Sequence, residues 1–208
     1  MKRALIVDDH PVVGATLGLI LESEGFRQVE VVASGVEAVP AIRRLSPELV
    51  ILDLNLKGMS GLEVLERIRA NGLDCRVVVF TSHEPAHYQM RCMRAGAMAY
   101  VTKSDSLHQL RNAIKAVRSG YTYFPGSTDL AAGSGMLQNN ERQLIDLLSD
   151  RELHILVQLA QGRANKDIAE GMSLSHKTVS TYKTRLMTKL GVGSLVLLRE
   201  FALRNQLI

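Results

Sequence analysis

The sequence predicts an α/β domain with a flavodoxin-like, doubly wound, five-stranded parallel sheet, followed by a small all-α helix-turn-helix domain of four helices. Three observations lead there. Through about residue 120, short apolar runs alternate with amphipathic segments, the pattern of strands linked by crossover helices. A polar, glycine-rich break follows. Beyond it, no run reads as a strand, and short helical segments are separated by tight turns.

The strands read as 4–7, 28–33, 49–52, 76–80 and 99–102. Runs such as Leu49-Val50-Ile51-Leu52 and Val77-Val78-Val79-Phe80 are apolar throughout, as expected of strands covered on both faces. The helices read as 11–24, 35–45, 61–70, 85–95 and 107–119. Ser34-x-x-Glu37 and Ser60-x-x-Glu63 are predicted capping boxes, and Asp105 is placed to cap the last of these helices. Right-handed crossovers then give strand order 2-1-3-4-5.

From residue 121 to about 143 the periodicity stops. Pro125, Gly126, Gly133, Ser134 and Gly135, with Gln138-Asn139-Asn140, read as a linker longer than the usual loop inside one domain. Predicted boundaries are therefore 1–120, 121–143 and 144–208. In the last segment, Ser149-x-x-Glu152 predicts a third capping box opening a helix to about 161, ended by Gly162. A helix over 166–171, a turn at Met172-Ser173-Leu174, and a helix over 176–190 capped by Ser175 and ended by Gly191 follow. The last helix reads as 194–204.

At 208 residues there is room for two ordinary domains. The apolar fraction of 46% is that of a globular chain, and the longest apolar runs fall far short of the ~20 residues of a membrane span. Met1-Lys2-Arg3 leads into only four apolar residues and then Asp8-Asp9, unlike a secretory signal. Cys75 and Cys92 form no ligand motif and read as buried thiols of a reducing compartment. A cytoplasmic protein without membrane partners is expected. Net charge is +4, but its distribution says more. Between Glu170 and Glu200 there is no acid, while Lys177, Lys183, Arg185, Lys189 and Arg199 form a candidate phosphate-binding surface.

The strand ends carry the chemistry. Asp8 and Asp9 follow the first run, Asp53 the third, Thr81 the fourth and Lys103 the fifth, at the crevice where open parallel sheets bind ligands. Mg²⁺ takes oxygen ligands from one or two carboxylates, with water and phosphoryl oxygens completing the shell. Asp9 and Asp53 are the candidate direct ligands, Asp8 acts directly or through water, and the backbone carbonyl of Asn55 supplies a further oxygen. Asp53 is the candidate nucleophile toward phosphorus, giving an acyl phosphate. Lys103 and the metal would offset charge on the transferring group while Thr81 donates a hydrogen bond to it.

These residues resemble response-regulator receiver domains: Asp8-Asp9, Asp53, Thr81 and Lys103 match the signature positions, and Gly61 the glycine after the acceptor loop. Tyr100, three residues before the lysine, matches the aromatic switch position. The resemblance implies that Thr81 moves toward the phosphoryl group while Tyr100 swings inward. Lys57 departs from the usual proline and Ser82 from the common alanine.

The segments Ser149–Glu152, Gly162–Ala169, Leu174–Tyr182 and Lys189–Val192 resemble the LuxR-type helix-turn-helix. The pair of domains resembles the NarL/FixJ class of response regulators. On the helix from His176, Val179, Leu186 and Leu190 should face the core. Ser180, Thr181 and Thr184 are then expected near base edges or thymine methyls, flanked by the phosphate-binding candidates Lys177, Lys183 and Arg185. Thr178, Tyr182 and Lys166 complete the expected DNA contacts. No long side chain is expected on the base-facing row, so DNA shape or paired sites should carry much of the specificity.

The implied partners are a sensor histidine kinase or phosphotransfer protein, double-stranded promoter DNA, and a second copy of the chain in the active state. RNA polymerase is a further candidate. Two other classes fit less well. Aspartyl-phosphate hydrolases carry D-x-D-x-T at the nucleophile, whereas this chain has Asp53-Leu54-Asn55-Leu56-Lys57, so no turnover enzyme is expected. Quorum-type regulators share the last domain but not an acidic α/β first half.

Overall fold

The computed structural model describes residues 2–124, 141, 143–172 and 174–208. The chain divides into two compact units, Met1–Ser127 and Thr128–Ile208. Most of the predicted linker, from Pro125 to Asn140, lies outside the described residues, as does Ser173 of the predicted turn.

In the first unit the strands are β1 (Arg3–Val7), β2 (Gln28–Val32), β3 (Leu49–Leu52), β4 (Arg76–Thr81) and β5 (Ala99–Thr102). All pairings are parallel, in the order β2-β1-β3-β4-β5, as the crossover rule requires. Ile6 sits level with Val31 on one side and Ile51 on the other, so the carboxyl ends of the two central strands align. The helices are α1 (Pro11–Ser23), α2 (Gly35–Leu45), α3 (Gly61–Ala70), α4 (Pro85–Ala95) and α5 (Leu107–Arg118). Ile6, Ile51, Val78, Phe80 and Val101 bury one face of the sheet with Leu17, Leu21, Leu110 and Ile114 of α1 and α5. Alternate strand residues, among them Leu5, Val50, Val79 and Tyr100, are equally buried and point the other way.

Ser60 and Glu63 close the predicted capping box at α3. Two other caps differ from expectation. Ser34 stands at the N-cap of α2, but its side chain accepts from no backbone N–H; its hydroxyl donates to the Glu37 carboxylate at 2.9 Å, and the residue pairs with Lys57 in a β-bridge. Asp105 does not cap α5, whose N-cap is Ser106. Its carboxylate instead accepts from the Thr102 N–H at 3.0 Å, bracing the turn that presents Lys103. The chain after α5 also returns to the sheet: Tyr100 N–H donates to the Tyr123 carbonyl at 3.0 Å, and Tyr123 N–H to the Met98 carbonyl at 2.9 Å.

The second unit holds α6 (Asp150–Ala160), α7 (Asn165–Gly171), α8 (His176–Leu190) and α9 (Leu195–Arg204), preceded by helical residues 141 and 143–146. Ser149 and Glu152 close a second capping box, and the Ser175 and Ser194 hydroxyls accept from N–H groups at the starts of α8 and α9. Leu153, Leu156, Ile168, Val179, Leu186, Leu198 and Phe201 make its core. The helical stretch at 141 and 143–146 carries no clear signal in the sequence. It is tied down from afar, by Arg204 and Asn205, whose side chains donate to the Glu141 carboxylate at 2.9 and 2.6 Å. Among the described residues, no helix is long and apolar enough to cross a membrane.

Candidate functional site

The carboxyl ends of the central strands meet in an acidic pocket. Asp53 N–H donates to the Val7 carbonyl at 2.9 Å and Asp8 N–H to the Val32 carbonyl at 3.1 Å, so each acid leaves its strand with the ladder still intact. Asp53 and Asp8 are only 2% and 3% exposed. Lys103 Nζ lies 2.7 Å from Asp53 Oδ2 and 2.8 Å from Asp8 Oδ2, bridging β1, β3 and β5 with one cation. Burial opposes the lysine's charge, but the two carboxylates outweigh it and hold its pKa above the ordinary value. Asn55 N–H donates to Asp53 Oδ1 at 3.2 Å, fixing the other oxygen of the acid.

Gly61 follows from sterics. It begins α3 against the loop after Asp53, and a Cβ there would stand 2.2 Å from the Asp53 carbonyl oxygen and 2.7 Å from Leu54 Cα. Only glycine lets that loop pass, which places the acid.

Asp8, Asp9, Asp53 and His10 bring ligand atoms within 4.8 Å of one another, a donor set able to hold a metal ion. Carboxylate oxygens suit a hard divalent cation. His10 is a member that sequence reasoning missed. Its Nδ1 lies 3.1 Å from Asp8 Oδ1 and 2.9 Å from Asp9 Oδ1. The only sequence signal was adjacency to the acidic pair.

Thr81 is fully buried, with its Oγ1 accepting from the His83 N–H at 3.4 Å and its carbonyl accepting from the Lys103 N–H at 2.7 Å. Tyr100 points inward, 1% exposed, and its hydroxyl donates to the His83 carbonyl at 2.8 Å. Burial, then the neighbouring Cys92, Tyr88, Glu84 and Asp53, push the phenol pKa up, so it stays a donor. His83 stacks on Tyr88 with centroids 4.4 Å apart. Burial is the main influence on the imidazole and carries its pKa below normal, with Asp53 pulling the other way and Lys103 adding to the fall. The β4–α4 loop thus joins Thr81 and Tyr100 through His83, a residue the sequence did not flag.

In the second unit the expected DNA residues divide by exposure. Lys166, Lys177, Thr181, Thr184 and Arg185 are exposed; Thr178, Ser180, Tyr182 and Lys183 are half-buried. Ser180 Oγ lies 3.3 Å from Asn165 Nδ2 of α7, and Thr178 Oγ1 lies 2.7 Å from the capping Ser175 hydroxyl. Lys177, Thr181, Thr184 and Thr188 are spaced i, i+4, i+7 and i+11, so they share one face. Lys177 thus stands in line with Thr181 and Thr184, and Thr188 extends the face. Lys189, part of the basic stretch in sequence, instead reaches back to Glu152 Oε1 at 2.8 Å. That carboxyl is almost fully buried. Burial opposes its charge, yet the Lys189 ammonium and the Ser149 N–H and hydroxyl hold its pKa below the usual range.

Comparison with known proteins agrees with both halves. Residues 4–115 match the response regulator receiver domain, and residues 146–202 match the bacterial regulatory proteins of the luxR family. The chain is 44% identical over 206 residues to the virulence factors putative positive transcription regulator BvgA of Bordetella pertussis, covering 99% of each. It is 35% identical over 205 residues to the DNA-binding transcriptional activator EvgA of Escherichia coli K12, again covering 99% of each. RcsB from Salmonella enterica serovar Typhimurium, solved bound to promoter rprA in the presence of phosphomimetic BeF3-, shares the fold with TM-score 0.68 at 22% identity, over 97% of this chain and 98% of that one. On these grounds the chain belongs to the NarL/FixJ class of two-component response regulators, a receiver domain joined to a LuxR-type helix-turn-helix.

Proposed function

We propose that Asp53 accepts a phosphoryl group from a sensor histidine kinase or phosphotransfer protein, and that this controls sequence-specific promoter binding by α8. The observation that carries the reading is Lys103 bridging Asp53 and Asp8, 2.7 and 2.8 Å away, inside a four-residue ligand cluster at the sheet's carboxyl edge. An Asp53 oxygen attacks phosphorus; the new P–O bond forms as the bond to the donor histidine breaks, and the imidazole leaves with that electron pair. Lys103 neutralises charge gathering on the phosphoryl oxygens, and Thr81 turns its hydroxyl toward them. Mg²⁺ would be held by Asp9 and Asp53, by Asp8 directly or through water, and by the Asn55 carbonyl; it supplies further charge neutralisation.

Tyr100 is the proposed second switch residue, tied through His83 to the segment that follows Thr81. The proposed organisation is a receiver over 1–120, a linker over 121–143 and a DNA-binding domain over 144–208. Lys166, Lys177, Thr178, Ser180, Thr181, Tyr182, Lys183, Thr184 and Arg185 make the proposed DNA surface. The active form is a homodimer on two half-sites about one helical turn apart, with RNA polymerase a further partner. The chain works in the cytoplasm and is not a turnover enzyme, beyond slow loss of its own phosphate.

Labelling with radioactive acetyl phosphate in Mg²⁺ tests the acceptor. Wild type takes up label, and Asp53→Asn takes up none while keeping the far-ultraviolet circular dichroism of the folded chain. Label persisting in Asp53→Asn would sink the assignment. Comparing promoter occupancy between the two proteins in cells then tests phosphate control.

A further inference from the structure

The exposed face of α8 carries three threonines whose hydroxyl protons are already committed. Thr181 Oγ1 donates to the Lys177 carbonyl at 3.0 Å, Thr184 Oγ1 to the Ser180 carbonyl at 3.2 Å, and Thr188 Oγ1 to the Thr184 carbonyl at 3.1 Å. A threonine hydroxyl has one proton to give. Bonded back to the carbonyl four residues earlier, it has none for a base edge. Once the oxygen is turned onto the helix, what each side chain offers outward is its methyl group. The face therefore reads as a strip of methyls headed by the Lys177 ammonium, although the residue names suggest a polar surface. Ser180, which has no methyl, borders this face half-buried against Asn165 of α7.

In the major groove only the A·T pair offers a matching group, the C5-methyl of thymine; G·C pairs offer acceptors and an amino group. We infer that Thr181, Thr184 and Thr188 determine specificity by packing their methyls on thymine C5-methyl groups, so the chain selects A·T pairs beneath this strip. This rests on the reading that α8 enters the major groove. Lys177, the one long side chain on the face, would anchor the end of the strip on a guanine edge or a phosphate.

The full-length chain, treated with acetyl phosphate and Mg²⁺, is used to select duplexes from a random library. Selected duplexes are then remade with deoxyuridine in place of thymine, which removes only the C5-methyl. Wild type should lose about fourfold in affinity per methyl contacted, the effect of exposing one buried methylene-sized group, and more than tenfold over the whole site. Thr181→Ser and Thr184→Ser should bring the thymine-to-deoxyuridine affinity ratio toward one, whereas Thr181→Val and Thr184→Val should preserve it. Equal affinity of wild type for both duplexes, or a ratio kept by serine and lost by valine, would overturn the inference. Selection of no DNA at all would instead overturn the DNA-binding reading beneath it.

Discussion

The acidic pocket draws Asp8, Asp53, Thr81 and Lys103 from four strand ends, whereas the proposed reading face comes from a single helix of 15 residues. Asp8, Asp53 and Thr81 are at most 3% exposed, and the two acids share one lysine; on α8, Lys177, Thr181, Thr184 and Arg185 stand in solvent. In the pocket each group is a condition for the others, because a buried charge stripped of its partner is strongly disfavoured. On the helix, in the proposed reading, each side chain would meet its own part of the DNA. Input should therefore fail all at once, and output should fail by degrees.

Lys103→Ala should give the largest effect of this contrast. It leaves two buried carboxylates facing each other and should cost about 3 kcal/mol of receiver stability without divalent metal. Urea unfolding of the full chain would read this, and added Mg²⁺ should restore part of the loss. No destabilisation would mean that the pocket groups are independent after all. Gly61→Ala comes next, because its Cβ would stand 2.2 Å from the Asp53 carbonyl oxygen. We expect about 2 kcal/mol of destabilisation and slower acetyl-phosphate labelling, since the loop must move with the acid.

Glu152→Gln tests the support beneath the reading helix. Lys189 is 46% exposed, so solvent screens the pair and the cost should be about 1 kcal/mol. The pH dependence has a definite sign. Glu152 is held below its ordinary value of 4.5 in the folded state, so its contribution is complete above that pH and fades as pH falls through the lower folded value. Glu141, held down by Arg204 and Asn205, contributes with the same sign. Melting of the second unit between pH 7 and 3 should thus fall more steeply in wild type than in Glu152→Gln; parallel curves would count against the pair.

The smallest effect is the most direct test of the contrast. Lys166→Ala and Arg185→Ala, on different helices, should each weaken DNA binding and lower the salt slope by about 0.9 for each phosphate no longer neutralised. Their combined effect should equal the sum within about 0.5 kcal/mol. Strong coupling between them would show that the output surface is as interlocked as the input.

The same contrast explains what could be read in advance. Strand order and helix positions were legible because four of the five runs are apolar or nearly so throughout and all five must be joined by crossovers. The pocket acids were legible because each directly follows such a run. Contacts between side chains distant in sequence were not. Lys189 looks like part of a basic stretch until α6 and α8 pack together and put it on Glu152. His10 offered only its adjacency to the acids, and Asp105 looks like a helix cap, because adjacency does not say which way a short side chain turns. Thr181 and Thr184 were legible as lying opposite the core stripe, but the direction of their hydroxyls depends on helix geometry that the letters do not carry.

The pairing of Tyr123 with β5 has a practical consequence for anyone dividing this chain. A receiver ended at residue 120 would lose the Tyr123 carbonyl and N–H that satisfy Tyr100 N–H and the Met98 carbonyl. The outer rim of β5 would then offer open donors and acceptors to any second chain, a known template for edge-to-edge aggregation. Such a fragment should self-associate in a way that mimics the proposed phosphate-driven dimerisation. Ending it after Phe124 keeps the rim closed and lets association driven by phosphate be measured against a clean background.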